Sequence, residues 1–115
     1  MSSTYPLVYS VNMASGATFS SAIALERSFS YLYLEIPTMA SGSLYIQASS
    51  DNSTFRRVKA DQVTTATALA HLDYLINSTV TNTFIRIPQG FRYYRIESSS
   101  GATDVTTTFK FIGAD

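Results

Sequence analysis

The sequence contains no cysteine, no tryptophan and a single histidine, and only 14% of its 115 residues are charged. Without cysteine there is no disulfide framework and no thiolate metal site. One histidine and scattered carboxylates do not make a zinc site either, so no metal or other cofactor is expected. Lysine and arginine together number 8, as do aspartate and glutamate, for a formal net charge of zero. That balance argues against a nucleic-acid partner and against a basic patch for anionic lipid. No apolar run approaches the roughly 18 residues that span a bilayer. Residues 1–6 lack the basic and apolar regions of a secretory signal, which points to synthesis in the cytoplasm and no membrane partner.

What the sequence does contain is enough apolar material for one core. Hydrophobic residues make up 45% of the chain, and serine and threonine supply about a quarter of it. A chain of this length forms one domain. Residues 1–6 are expected to be a loose polar arm, and residues 7–115 a single domain with no repeat and no linker.

Period-two alternation dominates, as in strands with one buried face. Within residues 29–36, Leu32, Leu34 and Ile36 share one side, while Phe29, Tyr31, Tyr33 and Glu35 share the other. Residues 43–49 repeat the pattern, with Leu44, Ile46 and Ala48 opposite Tyr45 and Gln47. The turn residues of 37–42 join the two runs, so an antiparallel pair is expected. The cluster Ser49-Ser50-Asp51-Asn52-Ser53 predicts a tight hairpin onto residues 54–58. Runs 84–87 and 91–97 flank Pro88-Gln89-Gly90, and residues 105–112 place Val105, Thr107, Phe109 and Phe111 on one face. Residues 5–11 and 17–25 read as two further strands. Residues 61–77 are ambiguous: Leu69, Leu72 and Leu75 suit two helical turns, but the threonine-rich flanks favour extended chain. The expected fold is an all-β, jelly-roll-like antiparallel sandwich of about eight strands.

One stretch is more specific. Tyr45-Ile46-Gln47-Ala48-Ser49-Ser50-Asp51-Asn52-Ser53-Thr54-Phe55-Arg56-Arg57-Val58 is followed about thirty-five residues later by Phe91-Arg92-Tyr93-Tyr94-Arg95-Ile96. This pair of motifs resembles the central hairpin and the arginine-tyrosine strand of discoidin-like, or galactose-binding-like, jelly rolls. The same pair occurs in small structural proteins of tailed phages, including capsid decoration, head-fibre and tail components. Phe55 stands where that family often has tryptophan. Asn52 replaces its usual glycine and, like glycine, accepts a positive φ.

Catalytic chemistry is not written here. His71, with Asp73 and Ser78 nearby, has no nucleophile turn to complete a triad, and no enzyme is expected. Asp51 and Asn52 suit a turn better than a calcium site. Glu26, Glu35 and Glu97 read as surface charge or as ion-pair partners for Arg92 or Arg95 rather than a glycosidase pair. The sequons at Asn52 and Asn77 read as Ser/Thr-rich turns.

The residues that stand out suit protein contact. Arginine outnumbers lysine six to two, and arginine supplies a planar fork that stacks on aromatic rings. Arg56, Arg57 and Arg92 are candidate interface anchors, with Arg95 either an anchor or an internal ion-pair member. Tyr31, Tyr33 and Tyr45 are the candidate interface aromatics, since tyrosine contributes contact area at low entropic cost. The resemblance implies a virion structural protein made in the host cytoplasm, on the capsid exterior as a decoration or cement protein. Its partners would be the capsid or another virion protein and its own copies, as a homo-oligomer. A carbohydrate-binding tail or fibre component, with a glycan as ligand, is the alternative.

Overall fold

The computed structural model describes residues 6–14, 16–37, 43–64, 69–73, 75–77, 82–98 and 107–115, with the backbone alone for those between 60 and 77. Eleven strands are present among them: β1 (Leu7–Met13), β2 (Ile23–Ala24), β3 (Tyr31–Ile36), β4 (Ser43–Ser49), β5 (Arg56–Arg57), β6 (Lys59–Thr64), β7 (Leu69–Asp73), β8 (Leu75–Asn77), β9 (Thr83–Ile87), β10 (Tyr93–Ser98) and β11 (Thr107–Ala114). The first sheet has the order β1-β11-β3-β9. The second runs β2-β10-β4, and both β5 and β8 line the far edge of β4. β6 and β7 form a separate antiparallel hairpin. Every pairing is antiparallel.

With β5 and β8 taken as two halves of one position, the chain visits eight positions. The orders 1-8-3-6 and 2-7-4-5 that result are those of a jelly-roll sandwich. The expected fold class is therefore present.

The core lies between the two sheets and follows the alternation of the strands that wall it. Leu32, Leu34 and Ile36 from β3 and Phe109 and Phe111 from β11 meet Leu44 and Ile46 from β4 and Tyr94 and Ile96 from β10. The Tyr94 ring lies 5.8 Å from that of Phe111. Its hydroxyl donates to the Pro88 carbonyl at 2.9 Å, so the one polar atom on this core ring is satisfied.

Two expectations about pairing are corrected. β3 and β4 do not form a hairpin: β3 pairs with β11 and β9, and β4 with β10, β5 and β8. Both strands have an apolar face turned to the same core, and alternation looks identical for strands that pair and for strands that face one another across a sandwich. Residues 17–25 are not one long strand. Strand geometry is limited to β2 and an isolated bridge between Phe19 and Glu97. Serine hydroxyls break the ladder here: the Ser20 hydroxyl accepts from the Ile96 amide at 2.9 Å, and that of Ser21 accepts from Asn12 at 3.4 Å.

The hairpin at residues 49–58 forms as expected, with Gln47 opposite Arg57 and Ala48 opposite Arg56. Asn52 takes a φ of 59°, as a residue in the place of glycine must. Residues 61–77 are extended wherever they are described. The arm at 1–5, most of the turn at 37–42, Val105, Ser78 and the side chains of His71 and Asp73 lie outside the described residues.

Candidate functional site

The outer face of the second sheet carries a connected arginine–aromatic cluster. Alternation turns Tyr45 and Gln47 of β4 outward, together with Tyr93, Arg95 and Glu97 of β10, and register sets them in rows. Arg95, Gln47 and Arg57 stand side by side across three strands, and Glu97 stands beside Tyr45 in the next row.

Three hydrogen-bonded steps link these side chains. Arg57 grips Glu97 with two parallel bonds, Nε to Oε1 at 2.8 Å and Nη2 to Oε2 at 2.7 Å. The Gln47 amide donates to Glu97 Oε1 at 2.9 Å, and its carbonyl oxygen accepts from Arg95 Nε at 2.6 Å. Gln47 is buried, so its amide is held in one orientation by the carboxylate on one side and the guanidinium on the other. The Arg57 hydrogen bonds hold the Glu97 carboxyl below the usual carboxylate range, against a smaller opposing effect of desolvation.

Each guanidinium is also packed on aromatic rings. Arg57 lies 3.8 Å from the Tyr45 ring centre. Arg95 lies 4.0 Å from that of Phe19 and 4.3 Å from that of Phe55. Phe55 comes from the turn before β5 and Phe19 from the segment bridged to β10, so the cluster ties both of the motifs singled out in the sequence to a third stretch of chain.

The expected anchors are therefore distributed rather than assembled. Tyr45 and Arg57 belong to this cluster. Tyr31 and Tyr33 lie on the outer face of the first sheet, on the opposite side of the molecule, because β3 and β4 are in different layers. On that face Tyr33 stands between Ile112 and Arg86, and the Arg86 guanidinium lies 4.8 Å from the Tyr31 ring centre. Glu97 is paired with Arg57 rather than with the expected Arg92 or Arg95. Gln47 and Phe19 were not anticipated. Gln47 takes its role from cross-strand register, and Phe19 from an irregular segment; neither leaves a mark on local sequence.

Arg56 and Arg92 sit at one end of the sandwich, where β2, β4 and β9 finish. Two clefts flank Phe91 there. One, of about 460 Å³, is lined by Arg27, Phe29, Gln89 and Arg92. The other, of about 670 Å³, has Ala48, Val58 and Pro88 as its apolar lining, with Asp51, Arg56 and Lys59 among its polar groups. Asp51 serves the hairpin itself: its Oδ1 accepts from the amides of Thr54 at 3.0 Å and Ser53 at 2.9 Å, and from the Ser49 hydroxyl at 2.8 Å. Those bonds lower its pKa to about 2, which fits the expected turn role. Among the described residues no three His, Cys, Asp or Glu side chains gather closely enough to hold a metal ion.

Comparison with protein-family models, with curated proteins and with solved structures finds no match to this chain.

Proposed function

We propose that the chain is a non-enzymatic structural protein of a virus particle, a capsid decoration protein that binds the capsid lattice from outside and stabilises it. The observation that carries this reading is the large apolar side chains on both outer faces. Val8 is 55% exposed, Tyr31 40% and Phe84 60% on the first sheet, and Phe19 is 43% exposed on the second. Apolar and aromatic groups on the two outer faces of a sparsely charged surface suit a block covered by neighbours on both sides. Arg56 and Arg92, at the rim of one end, add polar contacts to a neighbouring copy or to the capsid. Modest contacts of this kind become strong when repeated around a lattice. The reading draws its viral identity from the resemblance of the hairpin and the arginine-tyrosine strand.

The test is co-sedimentation of the tagged chain with heads, together with the temperature at which those heads disrupt. The chain should travel with the heads and raise that temperature. Recovery solely as free monomer from particle-producing cells would overturn the reading.

The second reading is a glycan-binding tail or fibre component. The paired clefts around Phe91 favour it, since they combine an apolar wall with polar groups in volumes that suit a small ligand. Saturable binding on a glycan array, lost in Phe91→Ala, would support it over the decoration role.

A further inference from the structure

Arg95 differs from the other arginines in how it is held. Its side chain donates one hydrogen bond among the described residues, from Nε to Gln47 at 2.6 Å. The guanidinium plane sits against the Phe19 and Phe55 rings, at 4.0 and 4.3 Å from their centres. Gln47 cannot swing away, because its amide nitrogen is bound to Glu97, which Arg57 holds by two further bonds. Nη1 and Nη2 of Arg95 are thus fixed in position, and no described residue accepts their protons. Arginine offers five donors in a planar fork, and here four remain.

We propose that Arg95 is the anchor of a docking surface that receives an acidic side chain, aspartate or glutamate, of a partner protein; the proposal rests on the structural-protein reading and names the chemistry of its contact. Charge supports the choice of ligand. Within the cluster a single carboxylate, Glu97, stands against the two guanidiniums of Arg57 and Arg95, which leaves one positive charge in excess. A carboxylate fits the two terminal nitrogens of a guanidinium bidentately. Immobilisation favours affinity as well, since little rotamer freedom remains to be lost when the partner binds. The shape supports a protein as its source. The site is a sheet face rather than a cleft, and Phe19 and Phe55 already present a ring face to the guanidinium that a stacking sugar would need. Arg57, whose fork is filled by Glu97, acts as a positioning residue for Arg95 through Glu97 and Gln47.

The experiment has two arms. In the first, the arginine side-chain NMR signals of the full chain are followed during titration with N-acetyl-glutamate methylamide and, separately, with sialyllactose. The Arg95 signals should move saturably with the blocked glutamate, and those of Arg27, already paired with Asp115, should not. Gln47→Leu should weaken the response several-fold while the chain still melts cooperatively. An unresponsive Arg95, or a tighter response to sialyllactose, overturns the proposal. In the second arm, wild type, Arg95→Lys and Arg27→Lys are sedimented with particles. Arg95→Lys should bind roughly tenfold more weakly, because it keeps the charge and loses the fork, and Arg27→Lys, at a guanidinium already paired with Asp115, should bind as wild type does. Particle binding that Arg95→Lys leaves intact overturns the proposal. If wild type itself fails to bind particles, the structural reading falls, and the titration alone decides whether Arg95 takes a carboxylate.

Discussion

At the scale of single residues, two positions show how little freedom the fold leaves. Gly113 of β11 faces Phe29, and a Cβ built at that glycine would lie 2.6 Å from the ring. The ring is itself held: Arg27 packs 4.4 Å from its centre, and the Tyr9 ring meets it edge-on at 6.4 Å. Gly113→Ala should therefore cost about 1–3 kcal/mol, as overpacking does in a filled core, and a thermal melt will show it. The exposed Arg27–Asp115 pair beside it contributes little by comparison. Asp51 contributes to acid sensitivity. Its pKa falls from an ordinary 3.8 to about 2 on folding, so its stabilising effect is full above the ordinary value and is lost as pH drops toward 2. Glu97 and Asp115 shift in the same direction. The unfolding midpoint should fall between pH 4 and pH 2, and Asp51→Asn should flatten that slope in pH-dependent melts.

At the scale of strands, alternation located most elements correctly. Leu32, Leu34, Ile36, Leu44, Ile46, Phe109 and Phe111 are all buried as their positions predict. The 49–53 turn was equally legible, because its short polar side chains bond their own backbone in a way that local sequence encodes. Partner choice was not. Whether the chain after Ile36 returns beside β3 or crosses to the other layer depends on the whole set of strands, and β11, seventy residues away, occupies the place beside β3. The candidate site was half legible for the same reason. Tyr45 and Arg57 announce themselves as residue types, but their link to Glu97, Gln47 and Arg95 exists only once β4 lies between β5 and β10. Core positions are open to a direct check by denaturant unfolding. Phe111→Ala should cost about 3–5 kcal/mol. Tyr94→Phe should cost about 1–2 kcal/mol, since it keeps the ring and removes the donor to Pro88.

At the scale of the molecule, the surface separates stability from contact. Phe84 projects from β9 with 60% of its surface exposed, so its side chain contributes little to the free fold. Phe84→Ser should leave stability within about 0.5 kcal/mol of wild type. If the first sheet's outer face meets a neighbour, as the decoration reading holds, the same substitution should lower retention on particles, read by sedimentation. Loss of stability equal to that of a core variant would instead place Phe84 in the fold's own packing.

The place of β11 between β1 and β3 bears on how the protein is made. A ribosome delivers β1 first, but its sheet neighbour is at residues 107–114. Until those residues emerge, the first sheet consists of a solitary β1 and a β3–β9 pair, with the apolar faces of Leu32 and Leu34 uncovered by Phe109 and Phe111. Folding must wait on the last-made strand and close long loops at once, which makes it slow. The nascent chain spends that interval with sticky edges and faces open to other chains. For a protein whose finished faces also leave Val8, Phe19 and Phe84 exposed, yield in the cell will be decided by what shields the chain during synthesis.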